Sequence, residues 1–269
     1  MAGPGDPSRF DGEVALVTGG AGILGRRFCA GLAAAGAKVA VVDISHDLAA
    51  EVAREIGDQA APFTCDVADP ESAKACVQSV VQHFGGIDVL LNNAASKSRD
   101  VRAFFTPFEE YSLETWREVM AVNIDGMFLM AQAAGRHMLS SGRGGRVVQT
   151  ASIYGLVGPD SRIYEGSAYL GGPINTPAVY SASKAAVVGL TRWLATHWAE
   201  KGIRVNCLVP GGVSSGQNNV FSDRYSERVP MGRMADAQEM VAPMLFLASR
   251  ASSYVTGQVL AADGGWTAW

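Results

Sequence analysis

Tyr180-Ser-Ala-Ser-Lys184 sets a phenol and an ammonium four residues apart, a spacing that puts both on one face of a helix. A tyrosine that exchanges protons near neutral pH must drop by about 3 units from its usual pKa of about 10, worth roughly 4 kcal/mol. A lysine at about 4 Å supplies roughly that much at an effective dielectric near 20. The pair reads as an acid/base with its electrostatic partner, although an exposed helical pair of no chemical consequence has the same spacing. Tyr154, Tyr164 and Tyr169 have no lysine four residues on, so none competes for that role.

A second cluster precedes it. Thr18-Gly-Gly-Ala-Gly-Ile-Leu-Gly25 follows a short apolar run, and Gly19, Gly22, Ile23, Leu24 and Gly25 would turn backbone N–H groups and a helix dipole toward a pyrophosphate. By itself such a run reads equally well as a tight turn of small residues. Asp43 ends the next apolar run, where a carboxylate accepts both ribose hydroxyls of an adenosine. A 2′-phosphate about 4 Å from that carboxylate would be repelled by roughly 4 kcal/mol per unit charge at an effective dielectric near 20, before salt screening. NAD is therefore the expected cofactor. Arg26 and Arg27, just after the turn, read as exposed helix residues.

These groups need elements to hold them. Val14 to Thr18, Lys38 to Asp43, Ala60 to Cys65, Ile87 to Leu91, Arg146 to Thr150, Ile203 to Leu208 and Gln258 to Ala261 read as seven strands. Helical spacing fills the gaps at Ile23 to Ala35, His46 to Ile56, Pro70 to Phe84, Leu113 to Met138, Ala178 to Glu200 and Ala237 to Leu247. Such alternation predicts an α/β fold: one domain with a Rossmann-type, doubly wound parallel sheet of seven strands. A loose N-terminal tail is expected over 1–11 and the domain over 12–269. Two long connections, 153–177 and 211–235, are the kind that carry function.

With these pieces in this order, Thr18 to Gly25, Asn92-Asn-Ala-Ala95, Asn123, Ser152, Tyr180 with Lys184, and Pro210-Gly211, the chain resembles the short-chain dehydrogenases/reductases over about residues 12–265. The resemblance implies a catalytic tetrad of Asn123, Ser152, Tyr180 and Lys184. It implies that Ser152 holds the substrate oxygen, that Lys184 also binds the nicotinamide ribose, and that Asn123 holds a water in a proton relay. Asp66 and Val67 would flank the adenine, Asn93 and Ala94 would line the cofactor groove, and Pro210, Gly211 and Val213 would pass beside the nicotinamide. Tyr154 and Gly212 would join Ser152 and Tyr180 around the substrate. Helices 113–138 and 178–200 would pair between subunits, giving a tetramer or a dimer.

Two departures from the family pattern bear on these roles. Ile23 stands where the family's middle glycine is usual, with Gly22 one position earlier. Ser152 and Tyr180 are 28 residues apart, about twice the usual interval, so 156–176 reads as an insertion bordering the substrate. The insertion brings Asp160, Arg162, Tyr164, Glu165, Tyr169 and Asn175, and the later loop, read as a lid over 211–235, brings Gln217, Asn218, Arg224 and Arg228. Such a lining suits a sugar-like alcohol or ketone; an oligomer contact or a solvated flap is the other reading. Ser152 to Asp160, Ile163 to Gly166, Pro210 to Val213 and Pro230 to Ala235 resemble bacterial members linked to surface-sugar and nonulosonic-acid biosynthesis.

Composition narrows the alternatives. A net charge of −4 with no Lys/Arg run offers no footprint for nucleic acid or an anionic membrane. The start of the chain has no signal-peptide pattern, and Cys29, Cys65, Cys76 and Cys207 form no C-x-x-C pair, which together suit a cytoplasmic protein. Four scattered histidines give no metal-ligand spacing. A dehydrogenase of a hydrophobic alcohol, a sugar epimerase or dehydratase with tightly held cofactor, and an NAD-binding scaffold without turnover remain as rival readings.

Overall fold

Runs such as Val14–Thr18 and Val89–Asn92 have no face to give to water, and all their residues are buried; strands of this kind fit only a sheet covered on both sides. In the computed structural model, which describes residues 6–269, that sheet has seven strands: β1 (Val14–Thr18), β2 (Lys38–Asp43), β3 (Ala60–Thr64), β4 (Val89–Asn92), β5 (Gly145–Thr150), β6 (Ile203–Pro210) and β7 (Val259–Ala262). Their order is β3-β2-β1-β4-β5-β6-β7, every pair parallel. The chain winds outward from β1 to β3, then returns to lay β4 on the other side of β1. At that reversal an open α/β sheet leaves a crevice beyond the carboxyl ends of its strands.

The helices are α1 (Ile23–Ala34), α2 (His46–Ile56), α3 (Pro70–Phe84), α4 (Leu113–Met120), α5 (Gly126–Ser141), α6 (Ala178–Trp198), α7 (Asn219–Glu227) and α8 (Val241–Ala248). Local chemistry sets their ends: Asp69 caps α3 by accepting from the Ser72 N–H, Pro70 opens it and left-handed Gly85 stops it. Helices α1, α2 and α8 cover one face of the sheet around Phe28, Leu32, Val52 and Met244. Helices α3, α5 and α6 cover the other around Val77, Met130, Leu194 and Trp198. Each such side chain contributes about 1.5–3 kcal/mol on leaving water.

Two expectations about the chain's layout need adjusting. The helix read over 113–138 is interrupted by a π-helical turn, Ala121–Asp125, between α4 and α5. Residues 1–5 of the expected tail lie outside the described residues, but Phe10 is fully buried in the α1/α8 cluster and its N–H donates to the Ala35 carbonyl at 2.9 Å. Nearby, Glu13 pairs with Arg146 at 2.8 Å and Arg250 at 2.7 Å. Packing therefore begins before residue 12.

The insertion forms a short 3-10 turn, Ser161–Tyr164, and a small hairpin pairing Ala168–Tyr169 with Gly172–Pro173. Tyr164 stacks on Phe221 of α7 at 5.5 Å between ring centres. The charges expected to face a substrate pair with one another instead: Arg162 with Asp160 at 2.8 Å, Arg228 with Asp160 at 3.5 Å, and Arg224 with Glu165 at 3.0 Å. Among the described residues no helix is long and apolar enough to cross a membrane.

Candidate active site

The glycine turn closes over itself. A Cβ added to Gly25 would lie 2.0 Å from the Gly19 carbonyl oxygen, so no larger residue fits without moving backbone. Thr18 Oγ1 accepts from the N–H groups of Asn93 at 3.0 Å and Ala94 at 3.1 Å, and Asn93 Nδ2 donates to the carbonyls of Thr18 and Gly19. Asn93 and Ala94 thus brace the turn from the β4 side. Ile23 is the first residue of α1, after an extended Gly22, and its side chain is 57% exposed. The missing family glycine costs no strain, because this position is helical.

A groove of about 380 Å³ runs from the turn to α6, with Gly19, Gly22, Ile23, Leu24, Asp43, Asn93, Lys184, Pro210, Gly211 and Val213 in its wall. Gly25 and Ala94 are outside that wall, packed close to Gly19. Asp66 is exposed beyond β3, accepting from the Ala68 N–H at 3.0 Å, and Val67 is buried against Gly126; neither is part of the wall. Asp43 accepts the N–H of Ala21 on one oxygen and of Ser45 on the other, both at 3.2 Å. Arg26, directly after the glycine turn, is held by Glu51 at 3.0 Å and Glu55 at 2.8 Å.

Tyr180 lies in the first turn of α6 and Lys184 in the next. Lys184 Nζ donates to the Thr150 carbonyl at 3.1 Å and stands 5.8 Å from the centre of the Tyr180 ring. Burial pushes the lysine down to about 8. Burial also pushes the Tyr180 phenol up, with the Ser152 hydroxyl pulling the other way. The ammonium spends its bond on β5, and in the chain alone burial outweighs the Ser152 hydroxyl at the phenol. Ser152 follows β5, and its Oγ accepts from the Tyr154 N–H at 3.3 Å. The turn after it lies directly on α6, since a Cβ on Gly155 would come within 2.6 Å of the Lys184 carbonyl carbon and oxygen. Asn123, fully buried in the π turn, accepts from the Ser96 N–H at 2.8 Å and donates to Ser183 Oγ at 3.3 Å. It ties the loop after β4 to α6.

A second cavity of about 430 Å³ adjoins the groove, and Ser152, Tyr180, Gly211 and Val213 stand in the wall of both. Tyr154 and Gly212 line it as expected. The Gly212 N–H donates to the Tyr225 hydroxyl at 2.5 Å, and the Tyr225 ring stacks on Trp266 at 4.4 Å. Of the polar residues expected from the insertion and lid, Asn175 and Gln217 reach this wall; Asp160, Arg162, Tyr164, Glu165, Asn218, Arg224 and Arg228 do not, and Tyr169 borders a neighbouring hollow. Lys97 and Phe105 line the cavity without having been singled out. Their position in the loop leaving β4, at the carboxyl edge of the sheet, was the available signal.

The family model described as enoyl-(acyl carrier protein) reductase matches residues 20–267. The D-threitol dehydrogenase of Mycolicibacterium smegmatis is 37% identical over 267 residues, covering 96% of this chain and 94% of that protein. The 2-dehydro-3-deoxy-D-gluconate 5-dehydrogenase of Dickeya dadantii is 36% identical over 266 residues, covering 96% and 97%. Among solved structures, a gluconate 5-dehydrogenase from Burkholderia cenocepacia in complex with NADP and tartrate superposes with a TM-score of 0.86 at 33% identity, covering 98% of each chain. Likeness of this depth along nearly the whole length means that the chain belongs to the short-chain dehydrogenase/reductase family and is an oxidoreductase acting on a CH–OH group.

Proposed function

We propose that this enzyme is an NAD-dependent dehydrogenase that interconverts a sugar-like secondary alcohol and its ketone. The observation that carries the reading is the shared wall: Tyr180 and Ser152 face a cofactor-sized groove on one side and a substrate-sized cavity on the other. The related threitol and dehydrodeoxygluconate dehydrogenases are named for polyhydroxylated substrates, and Ser96, Asn175, Thr176 and Gln217 give this cavity matching polar groups.

The groove suits a dinucleotide with a free 2′-hydroxyl. Asp43 keeps unshared lone pairs on both carboxylate oxygens after accepting one N–H each, and Arg26 is neutralised by two glutamates. The bound nicotinamide supplies or takes the hydride. In the oxidative direction Ser152 Oγ holds the substrate oxygen, and the carbinol proton passes to Tyr180 Oη. Burial disfavours a lone phenolate and a lone ammonium, so each charge is best accommodated when the other is present. Asn123, tied to the loop after β4 and to α6, would hold a water in the proton relay. Gly211, Gly212 and Val213 close the cavity, with insertion 156–176 and lid 211–235 as its enclosure.

Exposed Phe128 on α5 and Trp193 on α6, 47% and 60% accessible, support a homo-oligomer built on these helices. Four free, buried thiols support a reducing, cytoplasmic setting. The test is reduced-nicotinamide absorbance with NAD or NADP, against polyols, sugar acids and hydrophobic alcohols, for the wild type and Tyr180→Phe. Turnover is expected with NAD and a polyhydroxylated substrate, reduced by at least about a hundredfold in the variant. Turnover that survives Tyr180→Phe would remove the catalytic assignment, and a preference for NADP would remove the role given to Asp43.

A further inference from the structure

Lys97 is the single charged side chain in the wall of the substrate cavity. Its ammonium lies over two rings, 5.5 Å from the centre of Phe105 and 5.6 Å from that of Tyr169. Among the described residues no carboxylate forms an ion pair with it. Several charges of the surrounding segments are spent on one another: Asp160 on Arg162 and Arg228, Glu165 on Arg224, and Glu118 on Arg99. A lysine that only keeps a loop soluble samples many rotamers in water. This one, though exposed, is biased onto two aromatic faces, each a weak contact at an exposed site, which favours one place for the cation at the cavity wall, where a ligand can meet it.

Asn175 does not set a ligand's place beside it: its Nδ2 donates to the Phe105 carbonyl at 3.0 Å, and its Oδ1 is closed to a water-sized atom. The cavity's requirement is therefore for one negative group.

Resting on the reading of a sugar-like substrate, we propose that the substrate is a polyhydroxy carboxylate, an aldonate or its keto form, with the carboxylate at Lys97. The experiment pairs acids with polyols of equal carbon number, threonate with threitol and gluconate with sorbitol, using NAD and the wild type, Lys97→Met and Lys97→Arg. The wild type is expected to favour the acids in kcat/KM. Lys97→Met is expected to lower the acid-to-polyol ratio by roughly tenfold or more, the scale of a hydrogen bond to a charged group, mainly through KM, and Lys97→Arg to restore most of it. Malonate, which cannot be oxidised at a carbinol, should compete with polyol oxidation in the wild type and lose that effect in Lys97→Met. Tyr180-dependent oxidation of polyols with no acid preference, or equal losses on acids and polyols in Lys97→Met, overturns this inference alone. Absence of Tyr180-dependent turnover on either class overturns the dehydrogenase reading with it.

Discussion

Lys184 is a charge kept where water is scarce, 2% exposed and with a single carbonyl for a partner. Its descent from 10.5 to about 8 corresponds to roughly 3 kcal/mol of destabilisation carried at neutral pH. Between pH 8 and 10.5 the unfolded chain holds a proton that the folded chain has released, so this penalty is full below pH 8 and fades as the pH rises to 10.5. Lys184→Met should therefore stabilise the fold at pH 7 by about 1–2 kcal/mol, after loss of the bond to Thr150, with the gain shrinking by pH 10. The same variant should lose at least about a hundredfold in turnover. Denaturant melts at both pH values check the sign; a variant less stable at pH 7 would contradict it. Tyr180, Lys184, Ser152 and Asp43 were legible because their chemistry depends on spacing and on strand ends, both written in the chain. Lys97 was not, because a lone lysine in a polar loop looks the same whether it faces water or a cavity, and the two rings that hold it lie 8 and 72 residues away.

At the scale of elements, the turn after β5 is seated on α6 through Gly155. A methyl group there would meet the Lys184 backbone rather than a side chain that could rotate away. Gly155→Ala should lift Ser152 from its place beside Tyr180, lowering kcat by about tenfold or more and stability by about 1–3 kcal/mol. Binding of NAD, followed by quenching or calorimetry, should change little, because the glycine turn and Asp43 are on the far side of the groove. An unchanged kcat would mean that the seat is ornamental. The strands were readable as apolar runs because both faces of this sheet are covered. The π turn was not, since Ala121–Asp125 carries the same helical spacing as its flanks and differs only in hydrogen-bond phase. The insertion misled in an instructive way: its two acids, Asp160 and Glu165, pair with its own Arg162 and with Arg228 and Arg224 of the later segment, and that pairing removed these charges from the cavity.

Across the whole molecule, the two ends of the sheet have separate tasks. Cofactor groove and substrate cavity occupy the carboxyl edge, while at the other edge Glu13 clasps Arg146 and Arg250 across 133 and 237 positions of sequence. The early start of the packed domain escaped notice because one phenylalanine, Phe10, in a stretch of Pro, Gly and Asp is a weak sign of burial. The C-terminus also returns to the site: Trp266 lies against Tyr225, whose hydroxyl holds the Gly212 N–H and whose ring lines the cavity. The enzyme consequently contains its own optical gauge. Ligand entry that shifts Tyr225 alters the surroundings of a nearly buried indole, 7% exposed, and should change the intensity and wavelength of intrinsic emission in step with occupancy. Replacing Trp266 by Phe should silence that response while the emission of Trp116, Trp193, Trp198 and Trp269 persists, so that binding can be followed by light alone, with no turnover and no added dye.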